Sequence, residues 1–405
     1  MTQLNKDRKE ITPHDLPRMF QYTTTLMELM EYGKTDAWLS MELMFHLSIL
    51  PLTRQLTNIS GNLWGRTLQG PKGRVSPFAC ISCKKHGAAK GQKRSCLFGG
   101  LVLVPKRGLY DKYVLLLDFN SLYPSIIQEH NICFTTVERA ADGSIPPLPF
   151  SKDPGVLPEL LKNLVQRRRM VESWMKNATG LKVQQLDIQQ QALKLTANSM
   201  YGCLGFSNSR FYAEPLAELI TLQARQILQS TVDLVQNNLN LEVIYGDTDS
   251  IMIYSGLDDI SKAKAIAGKV IQEVNKMYRC LEIDLDGLYK RMLLLKKKKY
   301  AAVKLHFKDG TPYEGLDMVR QDWSLLSKEL GDFCLSQILS GGSCEDVVES
   351  IHDSLVKVAE DMRRGQLALE KYLITKTLTK PPEAYPDAKN QPHVQLSTRN
   401  WTSFP

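Results

Sequence analysis

The stretch VIYGDTDSIMI, residues 243–253, sets two carboxylates, Asp247 and Asp249, between two apolar, β-favouring runs. That pattern predicts two buried strands, Leu241 to Tyr245 and Ile251 to Tyr254, joined through Gly246 to Asp249. Gly246 reads as the residue that lets the chain reverse. Alternation along the strand then brings Asp247 and Asp249 near one another, with Thr248 turned away. The same four residues would also make an ordinary hairpin tip, so the tetrapeptide alone leaves both readings open.

A second stretch, LLLDFNSLYPSII at 115–127, repeats the pattern, with Asp118 at the end of an apolar run that begins at Val114. An ionised carboxylate in a buried strand needs a counter-charge. Mg²⁺ accepts one or two protein carboxylates while keeping positions for water and substrate phosphates. Asp118, Asp247 and Asp249 are therefore expected to converge through folding on a site for two Mg²⁺ ions. One ion would help activate an attacking oxygen and the other steady a leaving oxygen. Asp118 and Asp249 are the expected main ligands, with Asp247 supporting them or binding in another catalytic state.

Lys194, Asn198 and Tyr201 follow at helical spacing, so one face carries an ammonium, an amide and a phenol. A nucleotide suits that face, with Lys194 meeting phosphate oxygens and Tyr201 bordering a base pair. Gly202 and Gly205 are read as the helix end. Upstream, Leu157 to Lys176 reads as an antiparallel partner helix with an apolar stripe of Leu160, Leu164, Val171 and Trp174. Arg167 falls within that stripe, where a buried guanidinium would call for an anion such as a triphosphate oxygen. The competing reading has Arg167 on an exposed basic face beside Arg168 and Arg169. Further on, Lys296 to Lys299 and Tyr300 follow the apolar Met292 to Leu295. Strand alternation there sets Lys298 and Tyr300 on one side, suited to gripping nucleic-acid backbone.

DFNSLYPSII, KLTANSMYG, YGDTDS and KKKKY, in this order, resemble motifs of the family B DNA polymerases. From about Gly99 to Leu378 the chain is most similar to the polymerase-alpha branch of that family. The resemblance implies an α+β, right-hand architecture with an antiparallel-sheet palm, helical-hairpin fingers and a partial helical thumb. Its implied division is 1–69 as a remnant of an exonuclease-like domain and 70–150 as a divergent segment plus the first part of the palm. Residues 151–206 would be the fingers, 207–305 the second part of the palm and 306–405 a partial thumb. It also implies roles. Backbone at Ser121, Leu122 and Tyr123 approaches the incoming triphosphate, and the Tyr123 ring lies under its sugar, leaving no room for a 2′-hydroxyl. Arg167, Lys194, Asn198 and Tyr201 serve the nucleotide; Lys296, Lys298 and Tyr300 serve primer and template.

The implied reaction is templated attack of a primer 3′-oxygen on a deoxynucleoside triphosphate. The resemblance further implies extension of RNA-DNA primers at replication initiation, in the nucleus, with primase and accessory polymerase subunits as partners. A catalytically inactive nucleic-acid-binding or assembly fragment is the alternative.

Composition agrees with an intracellular enzyme. The chain has 405 residues, 43% hydrophobic and 23% charged, enough for more than one core-bearing lobe. No uninterrupted apolar stretch is long enough to span a membrane, and MTQLNKDRKE is not a secretory signal. A net charge of +8 suits an anionic partner. Cys80, Cys83, His86 and Cys96 raise a zinc hypothesis, but their spacing departs from the common finger patterns, and no zinc is expected. Tyr32 and Asp36 have the spacing of the family's third exonuclease motif, and Leu56 to Ser60 resembles the end of the exonuclease-like domain. One motif cannot make that site, so no nuclease activity is expected.

Overall fold

The computed structural model describes residues 11, 16–61, 63–68, 99–138, 144–151, 153–206, 209, 211–308, 311–318, 324–374, 378, 381–385 and 390–401. The divergent 70–97 segment, with Cys80, Cys83, His86 and Cys96, lies outside them, as does Arg210.

Helices α1 (Leu16–Met19), α2 (Thr23–His46), α3 (Ile49–Ser60) and α4 (Trp64–Leu68) open the chain. Then come β1 (Gly108–Tyr110), β2 (Val114–Phe119), α5 (Leu122–Glu129), α6 (Val156–Lys176), α7 (Leu181–Leu204) and α8 (Glu214–Asp233), the last running into a π-helical turn at Leu234–Asn238. Strands β3 (Glu242–Asp247) and β4 (Ser250–Tyr254) precede α9 (Ile260–Lys276), β5 (Ile283–Lys296), β6 (Lys299–Lys308) and β7 (Thr311–Met318). Helices α10 (Leu325–Ser340), α11 (Cys344–Arg363) and α12 (Pro392–Trp401) follow.

One antiparallel sheet, in the order β3-β4-β2-β5-β6-β7 with β1 also on β5, organises the middle of the chain. Alternation along β2 explains its two faces. Leu115, Leu117 and Phe119 enter the main core with Ile126 and Ile127 of α5, Leu216 and Ile220 of α8, and Ala267 and Val270 of α9. Each fully buried Leu or Ile side chain there contributes roughly 1.5–3 kcal/mol. Val114 joins a smaller cluster with Ile244, Tyr245, Met252, Tyr289, Met292 and Leu294, against which Leu116 packs. Asp118 has the parity of Val114 and Leu116, so the apolar strand that anchors the core also delivers a carboxylate to the opposite face.

Helices α6 and α7, joined by four residues, form the expected hairpin, but its buried stripe differs from the sequence reading. Leu157, Leu161, Leu164 and Val171 are buried, while Trp174 is 56% exposed and Arg167 is exposed. The reason is phase. At 100° per residue, Arg167 and Trp174 fall on the shoulder of the face set by Leu157, Leu161 and Leu164, and Arg168 falls near its centre. Helix α7 continues through Gly202 and ends at Leu204, so only Gly205 marks its end.

Serines 324 and 343 cap α10 and α11 by accepting from the amides of Ser327 and Asp346, and Gly341, at φ 83°, ends α10. The Arg291 guanidinium on β5 packs against Gly341 and donates to the Leu339 carbonyl at 3.1 Å, tying α10 to the sheet. The carboxyl-terminal segment contains α12, with Val394 buried. Pro392 occupies the first helical position, where a missing N–H costs no hydrogen bond. Among the described residues, no helix is long and apolar enough to cross a membrane.

Candidate active site

Strand register brings the distant acids together. Asp247 on β3 and Asp118 on β2 both pair with Ser250 of β4, one from each side, and Asp118 also pairs with Asp284 of β5. Directly paired residues share a face, so Asp247, Ser250, Asp118 and Asp284 form a row about 14 Å long at the usual strand spacing. Asp249 stands at the tip beside this row, where its carbonyl accepts the Phe119 amide at 2.8 Å. Beyond Asp284, a bulge in the β2–β5 pairing presents Asp286 within electrostatic reach of Asp118.

Gly246 does not make the reversal that its position suggested. It lies inside β3, paired with Ile251, and an added Cβ would meet Leu103 Cδ1 at 2.9 Å. The reversal falls on Thr248, at φ 63°, with the Asp249 amide donating to the Asp247 carbonyl at 2.7 Å. This three-residue closure at positive φ is rare and strained, and the segment running along β3 supports it. Leu101 accepts the Thr248 amide at 2.8 Å, and a Cβ on Gly100 would meet Thr248 Oγ1 at 2.5 Å.

Burial, then the nearby charges of Asp249 and Asp286, push the Asp118 carboxyl up to about 7, with Lys194 drawing it partly back. Burial also raises Asp249, assisted by the Asp247 charge and opposed by a backbone hydrogen bond and the Lys298 charge. Two half-buried carboxylates within electrostatic reach thus lack enough positive charge. Asp247 is engaged differently. Its Oδ2 accepts from the Tyr245 hydroxyl at 3.2 Å and lies 3.3 Å from Lys298 Nζ, while its Oδ1 accepts from Thr248 Oγ1 at 3.0 Å. Among the described residues, no group of three or more His, Cys, Asp or Glu side chains is arranged as a metal cage. A paired carboxylate with a charge deficit beside a cleft nevertheless fits Mg²⁺, which takes one or two protein carboxylates and completes its shell with water and phosphates.

That cleft measures about 1170 Å³ and runs between α6, α7 and the sheet, lined by Ser121, Lys194, Arg168, Arg169 and Asp284 among others. The chain leaves β2 and turns at Ser121, φ 50°, directly into α5. The first-turn amides of Leu122 and Tyr123 have no acceptor within the helix, and a helix N-terminus favours an anion. Leu122 is buried, so only its backbone is available there. Tyr123 stacks on Tyr201, with ring centroids 3.9 Å apart, and burial raises its phenol pKa. Tyr201 in turn meets Thr221 Oγ1 at 2.9 Å. Since the single Thr221 hydroxyl proton goes to the Ala217 carbonyl, Tyr201 is the donor. Lys194 lines the cleft, whereas Asn198 is exposed on the same helical face without forming the cleft wall.

Arg167 does not line the cleft; Arg168 does, held by Glu172 at 2.9 Å and donating to Gln190 at 3.3 Å. At the other end of the site, Lys297 and Lys298 form the β5–β6 turn, closed by the Lys296–Lys299 pair. Strand parity therefore does not apply to Lys298, whose φ is 58°. Its amide donates to the Tyr245 hydroxyl at 3.0 Å. Tyr300, paired with Leu294, places its ring edge-on to Tyr289, and Lys296 is exposed at the end of β5. Sequence reading missed Asp284, Asp286, Arg168 and Tyr245. The first two had a signal, because Ile283 to Leu288 is another apolar run interrupted by acids. Tyr32 and Asp36 lie on α2, and Leu56 to Ser60 ends α3.

Comparison with known proteins adds a family context. The profile of DNA polymerase family B matches residues 79–403. The chain is 66% identical to the DNA polymerase alpha catalytic subunit of Oryza sativa subsp. japonica and 64% identical to that of Arabidopsis thaliana. Each comparison covers 98% of this chain and 29% of the relative. Identity to the Mus musculus subunit is 43%, over 97% of this chain and 30% of that protein. Among solved structures, the family B DNA polymerase of the hyperthermophilic archaeon Pyrobaculum calidifontis superposes with a TM-score of 0.65 at 28% identity, covering 97% of this chain and 51% of that one. The chain spans about three-tenths of the length of the curated relatives it matches.

Proposed function

The chain belongs to DNA polymerase family B, and from that premise we propose that it carries the nucleotidyl-transfer centre of a DNA-directed DNA polymerase. In this reading the sheet is the palm, the α6–α7 hairpin the fingers, and α10 and α11 part of the thumb. The observation that carries it is the Asp118–Asp249 pair, short of positive charge at the edge of a cleft bordered by Lys194 and the N-terminus of α5.

Asp118 and Asp249 would hold Mg²⁺, with Asp247 joining them in another state. Two such ions would supply activation of the primer 3′-oxygen and neutralisation of the leaving pyrophosphate. The chain's own residues do the positioning. Lys194 and Arg168 meet triphosphate oxygens, and the amides of Leu122 and Tyr123 cradle them. Tyr123, backed by Tyr201, sits under the sugar and excludes a 2′-hydroxyl. Asn198 supplies a further donor from the same helix. Lys296, Lys298 and Tyr300 hold primer and template by their backbone, which positions the duplex without reading its sequence. Motion of α6 and α7 toward the sheet would align the reacting atoms.

Similarity to the alpha catalytic subunits extends the proposal to RNA-DNA primers at replication initiation, in the nucleus, with primase and accessory subunits as partners. Primer extension tests it. With a primed template, four deoxynucleotides and Mg²⁺, the chain should lengthen the primer and Asp249→Ala should not. Duplex binding without extension by either protein would instead assign a noncatalytic binding role.

A further inference from the structure

Two turns of the sheet, each with a non-glycine residue at positive φ, meet at one hydroxyl group. Thr248, at φ 63°, makes the acidic turn, and Lys298, at φ 58°, makes the basic turn. Tyr245 bridges them: its hydroxyl donates to Asp247 Oδ2 at 3.2 Å and accepts the Lys298 amide at 3.0 Å. The Tyr245 ring is fixed by burial in the smaller core cluster, so the bridge stands on a rigid base. Lys298 Nζ closes the arrangement 3.3 Å from the same Asp247 oxygen. Asp247 is consequently in direct ion-pair contact with a cation of its own chain, while Lys194 acts on Asp118 and Lys298 on Asp249 through charge at longer range.

We infer that Tyr245 is a positioning residue that couples the basic turn to the acidic turn, and that a nucleic-acid phosphate drawing Lys298 away releases Asp247 to a divalent cation. The inference rests on the nucleotidyl-transfer reading above and adds a coupling to it: capture of nucleic acid by the basic turn readies Asp247 of the acidic turn for a metal ion. The pair is suited to exchange. The Lys298 side chain is 55% exposed and that of Asp247 19%, so water screens the lysine end of the pair and weakens it. A backbone phosphate offers Lys298 an alternative anion. By linkage, nucleic acid then tightens metal binding by the same factor that metal tightens nucleic-acid binding.

Mn²⁺ titration followed by electron paramagnetic resonance tests this without turnover. The full chain is used alone and with a primer–template ending in a 3′-dideoxynucleotide, after subtracting Mn²⁺ bound by the duplex itself. Primer–template should tighten Mn²⁺ binding by about fivefold or more. Lys298→Met should bring the nucleic-acid-free chain close to that tighter affinity. Lys297→Met removes the same charge from the same turn, yet Lys297 bonds the Val102 carbonyl rather than Asp247. It should shift affinity by less than about twofold. Tyr245→Phe, which keeps the buried ring and loses the bridge, should reduce the response to primer–template. Equal effects of the two lysine variants, or no tightening with Lys298→Met, would overturn the coupling. Mn²⁺ binding that survives Asp249→Ala would instead overturn the nucleotidyl-transfer site itself.

Discussion

Tyr123 and Tyr201 lie ring against ring, with planes 10° from parallel, so a residue beside the acidic row is backed by one on the neighbouring helical hairpin. If Tyr123 excludes the 2′-hydroxyl, Tyr123→Ala should raise ribonucleotide use relative to deoxynucleotide use by about 10²-fold. Tyr201→Ala removes only the backing ring, whose stacking is worth ~0.5–1.5 kcal/mol, and should relax discrimination by about tenfold at most. Tyr201→Phe keeps the stack and should stay near the unaltered protein. The ratio of kcat/KM for the two nucleotide classes reads each effect.

The acidic pair predicts a pH dependence of stability. Asp118 titrates near pH 7 in the folded chain against 3.8 for its ordinary value. Between those values the folded state binds more protons than the unfolded one. Its stabilising contribution is therefore present at low pH and is lost as pH rises from about 4 to about 7. Mg²⁺ binds the ionised carboxylate, so it should raise Tm more at about pH 8 than at about pH 5. Asp118→Asn should weaken both the pH trend and the Mg²⁺ response. Thermal melts at the two pH values, with and without Mg²⁺, check this.

Neighbouring arginines on α6 should separate cleanly. Arg168 lines the cleft and Arg167 does not, and a hydrogen bond to a charged group is worth ~1.5–3 kcal/mol. Arg168→Ala should raise the KM for deoxynucleotide by about tenfold or more, while Arg167→Ala changes it by less than about twofold. Steady-state extension with each variant decides the assignment.

The turn between the acids is crowded from one side. A Cβ at Gly100 would fall 2.5 Å from Thr248 Oγ1 and 2.7 Å from its Cγ2. Gly100→Ala should cost ~1–3 kcal/mol by overpacking and lower kcat by displacing the turn. Adding Thr248→Gly removes the clashing side chain and suits φ 63°, so the double variant should recover much of the loss. Denaturation midpoints and kcat measured on the same preparations test the pairing.

How much of this could be read from the chain alone depended on how local the cause was. The strands around Asp118 and Asp247 and the helices over 156–176 and 181–204 are written in hydrophobic period, which acts within a few residues. The meeting of Asp118 with Asp249 was legible only as a demand for a shared counter-charge, with no geometry, because register across β2 and β4 is set by pairing between segments more than a hundred residues apart. Phase errors explain Arg167 and Trp174: a stripe drawn through Leu160 instead of Leu161 rotates the inferred face toward them. Lys298 was placed on a strand rather than in a turn because a run of four lysines hides the reversal, and a positive φ on a non-glycine residue leaves little trace in composition. Tyr245 gave no polar signal at all, since its ring reads as strand core and only the third dimension shows what its hydroxyl touches.

Single-turnover insertion of one deoxynucleotide by Asp118→Ala, Asp249→Ala and the double variant tests most directly whether the two acids act as one centre. Each single substitution should slow insertion by about 10³-fold or more, with the double variant scarcely slower than either, as groups acting as a unit behave. Rates near the unaltered chain for either variant, or two modest losses that multiply in the double, would contradict a shared nucleotidyl-transfer site.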